Sequence, residues 1–192
     1  MTVFIAFGLA GAGKTHFANW AANHFNIHCE DADSWLTPAM RLYIRDGKLF
    51  TPDMLNDYFN RVIQKIAELK RIYPDIIVAQ AFYREINRQQ LLAAYPDAIF
   101  IHVYADERVI LQRLLSRDNE VTLDYARKNA SYFEQPQHAC IRMDNSRDHD
   151  DGFLLKQCLS VPAFAKLSAN NNLLFRQEPV SPDSTMKKGF LI

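Results

Sequence analysis

Cysteine is scarce in this chain. Its 192 residues hold three, Cys29, Cys140 and Cys158, far apart and without a C-x-x-C pair. A disulfide scaffold or zinc-finger framework is therefore excluded, and reduced thiols in a cytoplasm are the expectation. Glycine (6) and proline (8) are too few for a collagen-like or low-complexity chain. Charge of one sign is also missing: 22 Lys and Arg balance 22 Asp and Glu, so no bulk field recruits nucleic acid or an anionic membrane. Any anion site must be local. The longest apolar opening, MTVFIAFGLAGAGK, has no basic leader, and Lys14 interrupts it well before the roughly 18 residues that a membrane span needs. Repeats of 20 to 50 residues are absent as well. What is present is an ordinary globular composition, 48% apolar and 23% charged. A chain of this length buries about 70% of its unfolded surface, enough for one compact domain.

Short β-rich runs bounded by turn residues occur at Thr2 to Phe7, Ile27 to Glu30, Asp75 to Ala81, Ala98 to Tyr104 and Ala139 to Asp144. Between them the spacing predicts helices over Lys14 to Phe25, Pro52 to Ile72, Glu85 to Ala94, Asp106 to Arg117, Thr122 to Phe133 and Asp150 to Leu159. Strands alternating with helices imply an α/β fold, with a parallel sheet of about five strands covered on both faces. In such sheets ligands bind beyond the carboxyl ends of the strands. Residues 1–159 are read as one domain. Residues 160–192, with an Asn run and no clear period, are read as a tail that is docked or partly disordered.

Residues 8–15, GLAGAGKT, match G-x-x-x-x-G-K-[ST] between a predicted strand and a predicted helix, which is the context that pattern requires. Gly8, Gly11 and Gly13 permit torsions and close approaches that a Cβ would block, so the amides of Gly11, Ala12, Gly13, Lys14 and Thr15 can point at phosphate oxygens. The helix N-terminus adds partial positive charge. Lys14 is a cation for the β- and γ-phosphates, and the Thr15 hydroxyl is a hard ligand suited to Mg²⁺. The ligand implied is a nucleoside triphosphate with magnesium, ATP being the expected one.

Phosphoryl transfer also needs a group for the metal and one for the nucleophile. The third strand ends in Gln80 without a terminal carboxylate, whereas Glu30, Asp31 and Asp33 follow the second. A D-x-D there can direct one carboxylate to the metal and the other to an acceptor hydroxyl; a solvated or capping role for Asp33 is the plainer alternative. Arg84 and Arg88, four apart at a helix start, can present two forks to an anionic acceptor. Arg113 and Arg117 share that spacing near a helix end, where cations are favoured in any case. His16, His24 and His28 have no ligand spacing. Trp35 can line the acceptor pocket or pack, and Arg41, Arg45 and Lys48 can contact an acidic substrate or form a solvated face.

With these residues in view, positions 1 to 158 resemble the small-metabolite P-loop kinases, the group of gluconate and shikimate kinases, and more distantly dephospho-coenzyme A kinase. The resemblance implies a P-loop NTPase fold with a mobile lid at about residues 117–122. It implies metal binding by Thr15 and Asp31 and acceptor binding by Asp33. AQAFYREINR is similar to the acceptor-facing segment of gluconate kinases, which places Tyr83 and Arg84 at the acceptor. RLLSRD is similar to a lid start, which places Arg113 and Arg117 on the ATP phosphates. MDNSRD is similar to the loop beside the adenine, which places Asn145 and Ser146 there. Asp118, Asn119 and Glu120 stand where gluconate kinases carry Gly-His-Phe.

The expectation is a cytoplasmic ATP-dependent kinase acting on a hydroxyl of a small polar, anionic metabolite of the sugar-acid or shikimate type. Lys14, Asp33 and Arg117 are its catalytic residues, and Asp33, Trp35, Tyr83, Arg84 and Arg88 its acceptor contacts. A nucleoside, nucleotide or cofactor kinase and a non-catalytic ATP-binding regulator stay open as alternatives. Neither nucleic acid nor membrane is expected as a partner, and monomer and homodimer are equally compatible with the sequence.

Overall fold

A computed structural model describes residues 1–116, 122–147 and 150–175. Strands β1 (Thr2–Phe7), β2 (His28–Asp31), β3 (Asp75–Ala79), β4 (Ile99–Tyr104) and β5 (Ile141–Asp144) form one sheet in the order β2-β3-β1-β4-β5. Every pairing is parallel; the central strand runs in register from Thr2 opposite Asp75 to Ala6 opposite Ala79. This is the five-stranded parallel sheet that the alternating pattern implies.

Helices on both faces explain why the strands are continuously apolar rather than alternating. Along β1, Phe4 and Ala6 face one layer with α1 (Lys14–Phe25), α7 (Asp151–Leu159) and α8 (Pro162–Phe175). Val3, Ile5 and Phe7 face the other, with α2 (Pro38–Arg45), α3 (Pro52–Lys70) and α4 (Glu85–Ala94). Two shorter helices, α5 (Glu107–Leu115) and α6 (Leu123–Ala130), stand beyond the carboxyl ends of the strands. Local chemistry sets the helix starts. Thr37 and Thr51 each precede a proline and accept a hydrogen bond from the third amide, 3.2 Å from Met40 and Met54 respectively. Thr122 and Asp150 do the same at α6 and α7. A hydroxyl or carboxylate cap satisfies an amide that the helix cannot, and proline pre-sets the first helical torsion.

Two helices depart from the sequence reading. Pro38–Arg45 is helical where the sequence spacing alone marked no helix, although the resemblance to small-metabolite kinases implies acceptor-binding helices in this segment. Residues 162–175, read as part of a docked or partly disordered tail, form α8, which packs into the main core: Phe164 is fully buried, stacked 4.6 Å from Phe4 and tilted against Phe25 at 4.8 Å. The Asn run that looked like a loop has a partner in the fold, since Asn171 donates 2.7 Å to the carbonyl of Phe25 at the end of α1. Residues 176–192 lie outside the described residues. Among those described, no helix is long and apolar enough to cross a membrane.

Candidate active site

The strand-to-helix turn after β1 is held in a conformation that only glycine permits. A Cβ on Gly8, at φ 149°, would lie 2.1 Å from the carbonyl oxygen of Val103. Gly13 caps α1 at φ 86° and ψ 29°, and a Cβ there would meet the Asn145 amide at 2.1 Å. No side chain caps α1 and its first turn carries no acid, so its leading amides and partial positive charge serve whatever anion the turn receives. Lys14 Nζ donates to the Leu9 carbonyl at 3.0 Å, which arches the lysine over the turn.

Two residues expected at the nucleotide brace the turn. Asn145 is buried and donates to the carbonyls of Ala12 (3.0 Å) and Gly13 (3.4 Å). Arg113 donates to the carbonyls of Asn145 (2.7 Å), Ala12 (3.3 Å) and Gly11 (3.4 Å), which holds it against the phosphate turn. Ser146 donates to Asp144 at 2.6 Å and accepts from the Asp106 amide, knitting β5 to the start of α5. Arg117 and most of the expected lid, residues 117–121, lie outside the described residues.

Both aspartates of the D-x-D lie beside the phosphate turn. β2 ends at Asp31, whose Oδ2 accepts a 2.6 Å hydrogen bond from the Thr15 hydroxyl. Its Oδ1 accepts from the Asp33 amide at 3.0 Å and starts the short 3-10 turn Ala32–Trp35. A hydroxyl and a carboxylate held together at the phosphate turn are a donor set suited to a hard divalent cation, so Mg²⁺ fits here. Asp33 accepts from Gln80 Nε2 at 3.1 Å and lines the cavity as an exposed residue. Burial, then the Asp31 charge, raise its pKa above the ordinary carboxylate value, and the positive charge of Lys14 draws it part of the way back. Lys14 and Asp33 are therefore electrostatic neighbours on one side of the sheet. Gln80 also donates to the Tyr58 hydroxyl, which itself donates 2.9 Å to the Ala32 carbonyl.

These groups converge on a cavity of about 360 Å³ lined by Lys14, Thr15, Asp31, Asp33, Tyr83 and Arg84 among others. Burial raises the Tyr83 phenol strongly, and a hydrogen bond with the backbone of Ala10 ties it to the phosphate turn. Trp35, by contrast, packs on the α3 side of the core and is outside the lining. Arg88 is a correction too. Its side chain is fully buried, with Nε donating to Glu85 (2.7 Å) and the guanidinium to the carbonyls of Phe82 (2.5 Å), Tyr83 (3.2 Å) and Glu134 (2.6 Å). Its fork is spent inside the protein, where it fixes the turn that presents Tyr83 and Arg84. Arg41 donates to the Asp33 carbonyl at 2.7 Å, and Lys48 pairs with Asp46; neither lines the cavity. His28 stacks on Tyr73 and bonds Glu30, and His24 stacks on Trp20. The sequence reading missed Tyr58, Asn87 and Asn129, which do line the cavity. Tyr58 carried one signal: it is the polar-tipped aromatic on the buried stripe of a helix that leads out of the D-x-D region.

No family model matches the chain, and no curated protein matches it in sequence. Solved structures do match in shape. A sugar kinase from Janibacter aligns with a TM-score of 0.72 at 18% identity, over 85% of this chain and 98% of that one. A gluconokinase from Sinorhizobium meliloti aligns at 0.68 and 16% identity, over 92% and 97%. A shikimate kinase from Bacteroides thetaiotaomicron aligns at 0.56 and 13% identity, over 91% and 98%. The strand order, the glycine turn ahead of α1 and these matches together give the chain the fold of the small-molecule P-loop kinases.

Proposed function

We propose that this protein is an ATP-dependent phosphotransferase that moves the γ-phosphoryl group to a hydroxyl of a small acceptor. One observation carries the reading: the phosphate turn with Lys14, the Thr15–Asp31 pair, Asp33 and Arg84 border the same cavity. In this reading the amides of Gly11 to Thr15 and Lys14 hold the β- and γ-phosphates. Thr15 and Asp31 would hold Mg²⁺, which supplies charge neutralisation on the phosphates. Asp33 orients the acceptor hydroxyl and takes its proton as the new O–P bond forms and the bond from the γ-phosphorus to the β,γ-bridging oxygen breaks. The raised Asp33 pKa makes it a better proton acceptor than an ordinary carboxylate. Arg84, exposed at the start of α4, meets an anionic group of the acceptor. The fold shared with sugar, gluconate and shikimate kinases supports this chemistry. The site is proposed to work in the cytoplasm.

The test is ADP release from Mg-ATP over a panel of polyols, sugar acids, shikimate and nucleosides, with Lys14→Ala as the blank. Acceptor-dependent release lost in the blank supports the kinase. Mg-ATP raising the melting temperature while no acceptor speeds ADP release would overturn it.

A further inference from the structure

Beyond Asp33 the cavity changes character. The wall that runs from the 3-10 turn through α2 to α3 is built from Leu36, Ile44, Leu49, Phe50, Leu55 and Phe59. Leu36, Leu49, Phe50 and Leu55 are only half-buried: Leu36, Phe50 and Leu55 pack on the core with one side, and all four border the cavity. Several polar groups of the lining are already engaged by the protein, while Asn87 and Tyr132 add two more. Gln80 serves Asp33, the Tyr58 hydroxyl and the Ala81 amide, and Tyr58 serves the Ala32 carbonyl. Across the cavity, Asn129 donates 3.0 Å to the Tyr125 carbonyl. Among the described lining residues the cations are Lys14, at the phosphate turn, and Arg84, at the start of α4.

We propose that the acceptor is an alcohol carried on an apolar alkyl or aryl body with at most one anionic group, and that the Leu36 to Phe59 wall selects it. This rests on the kinase reading above and names its substrate class. A sugar acid placed along that wall would bury several hydroxyls with no partner, and an unpaired buried hydroxyl is costly. An apolar body loses nothing there and removes half-exposed leucine and phenylalanine surface from water. The group transferred is the same: the acceptor oxygen bonds the γ-phosphorus, ADP departs with the bridging oxygen, and the hydroxyl proton passes to Asp33. Discrimination of this kind is strong when a wrong substrate leaves polar groups unsatisfied, and each methylene buried on such a wall is worth up to about fourfold in affinity.

The experiment compares 6-hydroxyhexanoate with gluconate. The two share chain length, carboxylate and terminal alcohol and differ in the internal hydroxyls alone. Calorimetric titration into the protein loaded with magnesium and a non-hydrolysable ATP analogue measures affinity, and ADP release with Mg-ATP measures turnover. The expected result is at least tenfold tighter binding and at least tenfold higher kcat/KM for 6-hydroxyhexanoate. Leu55→Gln, whose folding is checked by its thermal melt, should narrow the binding gap to threefold or less. Gluconate bound and phosphorylated as well as or better than 6-hydroxyhexanoate overturns the inference and leaves the kinase standing. Tighter binding of 6-hydroxyhexanoate with neither acid phosphorylated sinks the kinase reading while supporting an apolar acceptor wall.

Discussion

Replacing Arg88 by methionine tests how far the acceptor end of the site depends on a buried ion pair. The arginine side chain is 0% exposed and Glu85, its partner, 9%. Removing one partner of such a pair costs about 3–5 kcal/mol, because the other charge stays buried with its solvation unpaid. Arg88→Met would also strip donors from the carbonyls of Phe82, Tyr83 and Glu134. In a domain of this size each kcal/mol moves the melting temperature by about 2–4 °C, so a fall of about 6–20 °C is expected. A thermal melt followed by tryptophan fluorescence measures it, and adding Glu85→Gln should recover part of the loss by removing the stranded charge. The pH dependence supplies an independent check. Burial raises the Glu85 carboxyl, but hydrogen bonds from His138, Gln89 and Arg88 outweigh it and hold the pKa at about 2 against an ordinary 4.5. A folded pKa below the unfolded one gives stability that is present above about pH 4.5 and lost as pH falls toward 2. Arg88→Met should flatten that acid loss. A loss of less than about 1 kcal/mol, with the acid profile unchanged, would refute the role given to this network.

Three further outcomes are expected. Gly13→Ala forces a Cβ against the Asn145 amide at a left-handed φ of 86°, so it should destabilise the protein by about 1–3 kcal/mol and abolish the thermal shift produced by Mg-ATP. Phe164→Ala empties a fully buried site between Phe4 and Phe25 and should cost about 3–5 kcal/mol in urea unfolding without altering acceptor KM. The acid limb of kcat/KM should lie above the ordinary carboxylate range of about 4, because a base with a raised pKa is lost to protonation earlier as pH falls. Substituting Asp33 should remove that limb.

The glycine turn, the helix it opens and the strand before it were legible because each carries its own boundary signal. Thr2–Phe7, Lys14–Phe25 and Glu85–Ala94 have the bounds that the sequence spacing indicates. The Thr15–Asp31 pairing was legible because the phosphate turn and the D-x-D both follow strands whose carboxyl ends point the same way in a parallel sheet, with only β3 between them. Arg88 was not. Spacing places Arg84 and Arg88 on one helix face, but the direction of that face is decided by Glu85 and by the Glu134 carbonyl, which is 46 residues away in sequence. The same limit applies to Asn145 and Arg113, whose partners are carbonyls of the turn more than 30 residues away or on the adjoining loop. The apolar wall is the clearest case. Leu55, Phe59, Val62 and Ile66 form one periodic stripe, yet Leu55 and Phe59 border the cavity while Val62 and Ile66 are core. Period reports which side of a helix is apolar, not what lies opposite each residue. Helix α8 was hidden for a related reason: its asparagines look like loop residues until the Phe25 carbonyl is in place to receive one.

The most direct test of the central claim is phosphorus NMR of a reaction with Mg-ATP and the best acceptor, run on the native protein and on Asp33→Asn. The account predicts a new phosphate monoester signal rising with ADP in the native protein. In the variant, formation of that ester should be at least about 100-fold slower while the Mg-ATP thermal shift is retained. An ester formed by Asp33→Asn at the native rate, or inorganic phosphate as the native protein's sole product, would contradict it.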